Sequence, residues 1–375
     1  MATLRSPVLE RAPIPAVAEP AFRPEPKQRR DPWFDNTKMV LIVLVVLGHT
    51  WSQLPATQTS TWAYHFIYLF HMPAFVLVTG YLSRSMTWEP ARVWSLVRTV
   101  AVPYLLFESA LLELKHLMGD HAVAHPLLVP NSPMWFLVAL FAWRLITPLV
   151  LRIPRWPAIA ASVAISLASG LVTWTELDLA RILGFLPFFV VGLHLRREDW
   201  DRLRHPAVLP AAIAVLGAYL VVARHLVEHL PTDWLYYDYP YAALHTAPVA
   251  GMVTRLVLIA SGLLGAAAVF AVVPRVRSWF TTLGSATLIV YLFHDFFVVA
   301  LGRSSYPDAV GGNLALAFWW PTAVAITLAL LLATPPVVRR LSPLADPLGW
   351  LQGRVQDRLP ERKQEQEPRR APTSA

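Results

Sequence analysis

The chain has 375 residues, 55% of them hydrophobic and only 15% charged, with a mean hydropathy of +0.46, far more apolar than a soluble domain of that size. It has no cysteine, which excludes disulfides, thiolate metal sites and a cysteine nucleophile. The net charge of +8 sits in tails and short loops between apolar runs, so it argues for membrane orientation and against a nucleic-acid partner.

Residues 1–33 are proline-rich and charged, without the apolar core of a cleaved signal peptide, and read as a disordered cytoplasmic tail. Apolar runs then follow near residues 39–55, 62–83, 93–113, 133–151, 157–173, 178–195, 206–223, 248–273, 279–302 and 314–334. Most match the roughly 17 to 25 residues that span a bilayer. Residues 34–338 therefore predict an all-α, polytopic membrane helix bundle of about ten transmembrane helices. From residue 339 the sequence turns Pro-, Arg- and Glu-rich, and 339–375 read as a flexible cytoplasmic tail.

Lys and Arg in short loops set orientation. Alternate loops are basic, among them those with Lys27, Arg29 and Arg30, Arg84 and Arg92, Arg152 and Arg155, Arg196 and Arg197, Arg275 and Arg277, and Arg339 and Arg340. The expectation is a multi-pass protein of the plasma membrane with both termini cytoplasmic and the loops around 114–132 and 224–247 outside.

Ionisable groups within a span cost on the order of 2.5 to 3.5 kcal/mol, so they face a bundle interior or a cavity and become site candidates. In the first run Lys38 precedes His49 by eleven residues, three helical turns plus about 20°, which puts both on one face roughly 16 Å apart. His71 in the second run reaches a similar depth, beside Pro73. Arg98 and Arg144 lie near the cytoplasmic ends of the third and fourth runs, Glu108 ten residues beyond Arg98, and His294 and Asp295 in the outer half of the ninth. Sorted by depth, Lys38, Arg98 and Arg144 form an inner cationic tier, His49 and His71 a middle tier, and Glu108, His294 and Asp295 an outer one. The inner tier suits the phosphates of a cytoplasmic acyl-coenzyme A. A mid-membrane His suits removal of a hydroxyl proton, or transient carriage of the acyl group.

Plainer readings stand beside these. His65 reads as a packing residue, and Lys38, Arg98 and Arg144 are equally explained by snorkelling or positive-inside anchoring. Glu108 has Arg181 or Arg255 as possible structural partners, and Asp295 beside His294 as a structural pair is an equal reading. Asp199 and Asp201 in "EDWDR" have the spacing of metal-dependent glycosyltransferases, but a solvated charged loop explains them more simply. No His-Glu-x-x-His helix or phosphate-binding glycine loop occurs, and no metal site is expected.

The segments "FDNTKMVLIVLVVLGHT", "FHMPAFVLVTGYL", "RTVAVPYLLFE", "MWFLVALFAWRL", "FLPFFVVGLHLR" and "LGSATLIVYLFH", in that order, resemble the acyltransferase 3 family of integral membrane O-acyltransferases, in particular its fucose 4-O-acetylase-like branch. The family carries an Arg and, after ten intervening residues, a His in its first helix; here Lys38 stands at the Arg position and His49 matches. Lys keeps the charge but loses the planar fork. The resemblance implies transfer of an acyl group, usually acetyl, from acyl-coenzyme A to an envelope carbohydrate or a small secondary metabolite, with no permanently bound cofactor. The assignment that follows makes His49, His71 and Glu108 catalytic, gives the donor to Lys38, Arg98 and Arg144, and gives the acceptor to Tyr291, His294 and Asp295. The aromatic outer segment "DWLYYDYPY" offers further stacking surface for an acceptor.

Two rivals come from other classes. A transporter or flippase would use the same buried His, Glu and Arg as a path, with helices broken at Pro73, Pro103 and Pro187. An accessory subunit of an envelope polymer synthase would act only with its partner.

Overall fold

The computed structural model describes residues 31–120, 127–131, 133–174, 176–306 and 314–358. Among them there is no strand. The helices are α1 (Pro32–Trp51), α2 (Gln58–Tyr68), α3 (His71–Leu82), α4 (Pro90–Leu96), α5 (Val102–Leu117), α6 (Trp135–Val150), α7 (Arg155–Ser169), α8 (Leu179–Gly184), α9 (Leu186–His194) and α10 (Arg197–Leu203). They continue as α11 (Leu209–His229), α12 (Asp233–Tyr236), α13 (Pro248–Val272), α14 (Trp279–Leu283), α15 (Thr287–Gly302), α16 (Leu314–Leu332), α17 (Pro335–Ala345) and α18 (Pro347–Arg358).

Each of the ten apolar runs coincides with one helix or with helices joined end to end, which makes the protein an all-α membrane helix bundle. Among the described residues, five helical segments are by length and composition alone long and apolar enough to cross a bilayer, or six if Leu316–Leu332 and Pro335–Ala345, bent by 77°, form one. The other apolar helices are shorter or more polar at one end: α1 opens with the polar run Asp35-Asn36-Thr37-Lys38, α6 has 16 residues and α7 has 15.

The breaks follow the prolines. A proline lacks an N–H and its ring clashes with the carbonyl four residues earlier, so the helix yields just upstream. The chain leaves helical geometry at Phe70 (φ −141°), three residues before Pro73, and α8 gives way to α9 at Phe185, two before Pro187. Ahead of Pro103 the ladder widens into a π-helical turn over Val97–Ala101.

At the core, α1 packs against α2, α3, α14, α15 and α16. Helices α3 and α9 touch backbone to backbone, because a Cβ at Gly80 would meet the Phe189 carbonyl and one at Gly192 the Leu77 carbonyl. The Lys38 end of α1 is anchored by aromatic packing. Trp33 lies 5.2 Å from Trp200 and donates to the Phe270 carbonyl (3.2 Å), Phe34 stacks on Tyr81, and Asn36 donates to the Pro274 carbonyl (2.8 Å).

The C-terminal segment departs from expectation. Helices α17 and α18 continue to Arg358 where a flexible tail from 339 is expected; 359–375 lie outside the described residues, as do 1–30 of the N-terminal tail. Pro347 opens α18, where the missing N–H costs nothing, while Pro343 lies inside α17 near its C-terminal end. Arg98 then ties this segment down through Asp346 (3.4 Å) and Gln352 (3.0 Å).

Candidate functional site

Two cavities meet along α1. The first, about 180 Å³, is walled by His49, His71, Tyr64, Tyr68, Trp135, Arg181 and Tyr236, among others. The second, about 240 Å³, is mostly apolar and holds Lys38 and Arg144. Phe75, Phe136 and Tyr291 belong to both walls and form the partition between them. Along α1, Lys38 and Leu41 face the second cavity while Val45, His49 and Ser52 face the first, a stripe with helical period.

The two imidazoles expected at mid-depth therefore line one cavity. Nδ1 of His71 lies 2.9 Å from the Ile67 carbonyl one turn back, so it carries the hydrogen and Nε2 is left as an acceptor. The Tyr68 ring packs edge-on against it at 4.5 Å. The ring of His49 makes no hydrogen bond to another described residue, and on its far side it faces His294 with ring centroids 5.4 Å apart. His49 and Ser52 also line a smaller cavity of about 80 Å³ with Lys115 and Asp295.

Of the residues expected to hold the donor, two are together. Lys38 pairs with Asp35 (2.8 Å) while lining the second cavity, and Arg144 lines it with Nε 3.2 Å from the Ser83 hydroxyl. Arg144 also borders an adjoining polar cavity of about 170 Å³ with Arg92, Ser83 and Ser95. Arg98 is elsewhere. Its side chain turns to Asp346 and Gln352 and lines none of these cavities, because a carboxylate on the C-terminal helices competes for it.

Glu108 also departs from its expected place. It is fully buried but lines none of the four cavities; its carboxylate accepts from the Asn131 backbone N–H (3.0 and 3.1 Å) and side-chain amide (2.8 Å). Neither Arg181 nor Arg255 is its partner. Asn131 in turn accepts from Lys115, and two residues on, the Pro133 carbonyl accepts from the Tyr291 hydroxyl. Glu108 thus anchors the loop that holds the partition. Tyr291 is on the wall of both cavities, whereas His294 stands behind His49 and lines none of the four, and Asp295 faces the small cavity.

Arg181, expected only as a possible partner of Glu108, belongs to the His49 cavity instead. Its guanidinium pairs with Asp178 (2.8 Å) and Asp238 (2.5 Å), packs over Trp135 and Tyr236, and forms part of the His49 cavity. The signal available was an Arg three residues after an Asp in an apolar run. Its second partner, Asp238, lies in the aromatic segment, which delivers Leu235 and Tyr236 to the same wall and joins Tyr236 to Tyr64 by a 2.7 Å hydroxyl contact. His65, by contrast, has its ring nitrogens 2.9 and 3.0 Å from the Thr61 and Leu230 carbonyls, which is a packing role. Asp199 is taken up by Arg155 (3.2 Å) and Arg202 (3.6 Å), and Asp201 by Arg204 (3.8 Å). Among the described residues, no three His, Asp or Glu side chains are grouped so as to hold a metal ion.

The chain is thus a membrane helix bundle with two imidazoles on one side of a shared wall and Lys38 and Arg144 on the other. It belongs to the acyltransferase 3 family, whose acyltransferase domain matches residues 31–337, and is an acyl-transferring enzyme. Nodulation protein NolL of Sinorhizobium fredii (strain NBRC 101917 / NGR234) is 27% identical over 295 residues, covering 70% of this chain and 76% of that protein. No solved structure matches the chain.

Proposed function

We propose that this enzyme moves an acyl group, acetyl in the first instance, from cytoplasmic acyl-coenzyme A to a hydroxyl of a carbohydrate or related small-molecule acceptor. It does so from a multi-pass position in the plasma membrane with both termini cytoplasmic, the orientation favoured by its basic loops. The observation that carries the reading is the pair of cavities divided by Phe75, Phe136 and Tyr291, with Lys38 and Arg144 on one side and His49 and His71 on the other.

Cations beside an apolar slot match a donor that carries phosphates at one end and a thioester on a long uncharged arm at the other. An aromatic cavity with a hydrogen-bonding Arg matches a hydroxyl-bearing ring. In this scheme the acceptor hydroxyl lies against His49, which takes its proton as the oxygen attacks the thioester carbonyl at the partition. The carbon–sulfur bond breaks, and the departing thiolate takes the proton to give free coenzyme A. His71, with Nε2 as an acceptor on the same wall, orients the hydroxyl or water beside it. Family membership makes the chain an acyl-transferring enzyme, which displaces the transport reading.

The test is coenzyme A release from acetyl-coenzyme A by membranes containing the protein, with and without a mixture of envelope carbohydrates. Release that depends on added acceptor and disappears in His49→Ala at equal membrane abundance supports the scheme. Undiminished release by His49→Ala would sink the role given to that residue.

A further inference from the structure

The ring next to His49 on its far side is that of His294. On α15, Nδ1 of His294 lies 2.7 Å from the Tyr291 carbonyl and 3.2 Å from the Val290 carbonyl. Carbonyl oxygens only accept, so Nδ1 carries the hydrogen and Nε2 of the neutral ring is an acceptor. That Nε2 is buried without a hydrogen-bond partner among the described residues, in a side chain that is 0% exposed. Buried acceptors are rarely left so, because losing water without gaining a donor is costly.

The ring across from it is His49, 5.4 Å between centroids with the planes tilted by 46°. At that separation a small rotation of either ring brings a nitrogen of one within hydrogen-bonding distance of the other. His294 lines none of the four cavities described above, so it touches neither substrate in the proposed scheme.

We infer that His294 is a positioning residue for His49: its Nε2 accepts a hydrogen bond from the ring nitrogen of His49 that faces away from the acceptor hydroxyl. The inference rests on His49 acting as the base. Before transfer, the bond fixes which nitrogen of His49 bears hydrogen, leaving the other free to take the hydroxyl proton. After proton transfer both His49 nitrogens carry hydrogen, and the bond to His294 strengthens because its donor is now charged. No proton needs to pass to His294; the one taken from the hydroxyl returns to the thiolate sulfur.

The experiment compares His294→Leu, His294→Gln and His294→Asn in the coenzyme A release assay, with acetyl-coenzyme A as the varied substrate. His294→Leu is expected to lower kcat by about 10- to 100-fold, the loss of one hydrogen bond to a charged group, with KM for acetyl-coenzyme A unchanged. His294→Gln, whose side-chain oxygen reaches the place of Nε2, should recover most of that rate, and His294→Asn, whose oxygen reaches only the place of Nδ1, should not. An unchanged kcat in His294→Leu, or a rise in KM that accounts for the whole loss, overturns the inference while leaving His49 as base. If His294→Leu does not accumulate in membranes, the Gln and Asn variants decide, and equal rates for the two overturn it. Full activity in His49→Ala removes the premise, a result separable from the others.

Discussion

Lys38 and His49 lie on one face of α1 yet line different cavities, with Phe75, Phe136 and Tyr291 between them. A single helix thus carries a cation to one compartment and an imidazole to the other. For an enzyme that joins a charged donor to a hydroxyl acceptor, this makes the two ends of α1 separable by mutation.

Lys38→Ala is expected to raise KM for acetyl-coenzyme A by roughly tenfold, the scale of one hydrogen bond to a charged group, with little change in kcat. Lys38→Arg should restore it, because the guanidinium keeps the charge and adds a fork suited to phosphate. Steady-state kinetics on purified protein in detergent would check both.

Phe136→Ala should relax the limit on acyl length by removing one of the three partition side chains. In competition between butyryl- and acetyl-coenzyme A, the butyryl share is expected to rise by about tenfold, since pocket discrimination runs at roughly 1 to 3 kcal/mol per methylene. An unchanged ratio would place the acyl group away from this wall.

Arg98→Ala separates the two roles open to that residue. As a tie to Asp346 and Gln352, it should change KM for acetyl-coenzyme A by less than about twofold, because exposed pairs contribute roughly 0 to 1 kcal/mol. Protease sensitivity of the segment 335–358 should rise instead. A large KM effect with no change in proteolysis would return Arg98 to the donor site.

Glu108→Ala leaves the Asn131 backbone N–H and amide without their acceptor, a loss of about 1 to 3 kcal/mol. The thermal midpoint in detergent should fall, while the kcat of the folded fraction falls far less than in His49→Ala. Equal loss of kcat at unchanged stability would put Glu108 back among the reacting groups.

Gly80→Ala should destabilise the α3–α9 contact by about 1 to 3 kcal/mol, because the added methyl meets a backbone carbonyl that cannot rotate away. Gly217→Ala in α11, where nothing lies within 4 Å of the new Cβ, serves as the control. It should be neutral or stabilising by about 0.5 to 1 kcal/mol from helix propensity. Melting curves of the two variants side by side would test the packing.

The sequence by itself determined that the chain is an all-helical membrane protein, that its ten apolar runs are helical, and that Lys38 and His49 share a face. These follow from hydropathy and a 100° helical step, both local properties. It also marked His71 and Arg144, since an ionisable group in an apolar run must find an interior partner wherever that lies. It did not determine which ionisable groups meet. Arg98 and Glu108 looked like site residues on the same intramembrane argument, but one is taken by Asp346 and the other by Asn131, partners far away in sequence. The place of Arg181 was not legible for the converse reason: Asp238, which helps place it in the His49 cavity, lies 57 residues on in a loop. Pairing over such distances depends on how α1, α3, α9 and α15 pack, and the glycine contacts and aromatic wedges that set this packing show in no local period.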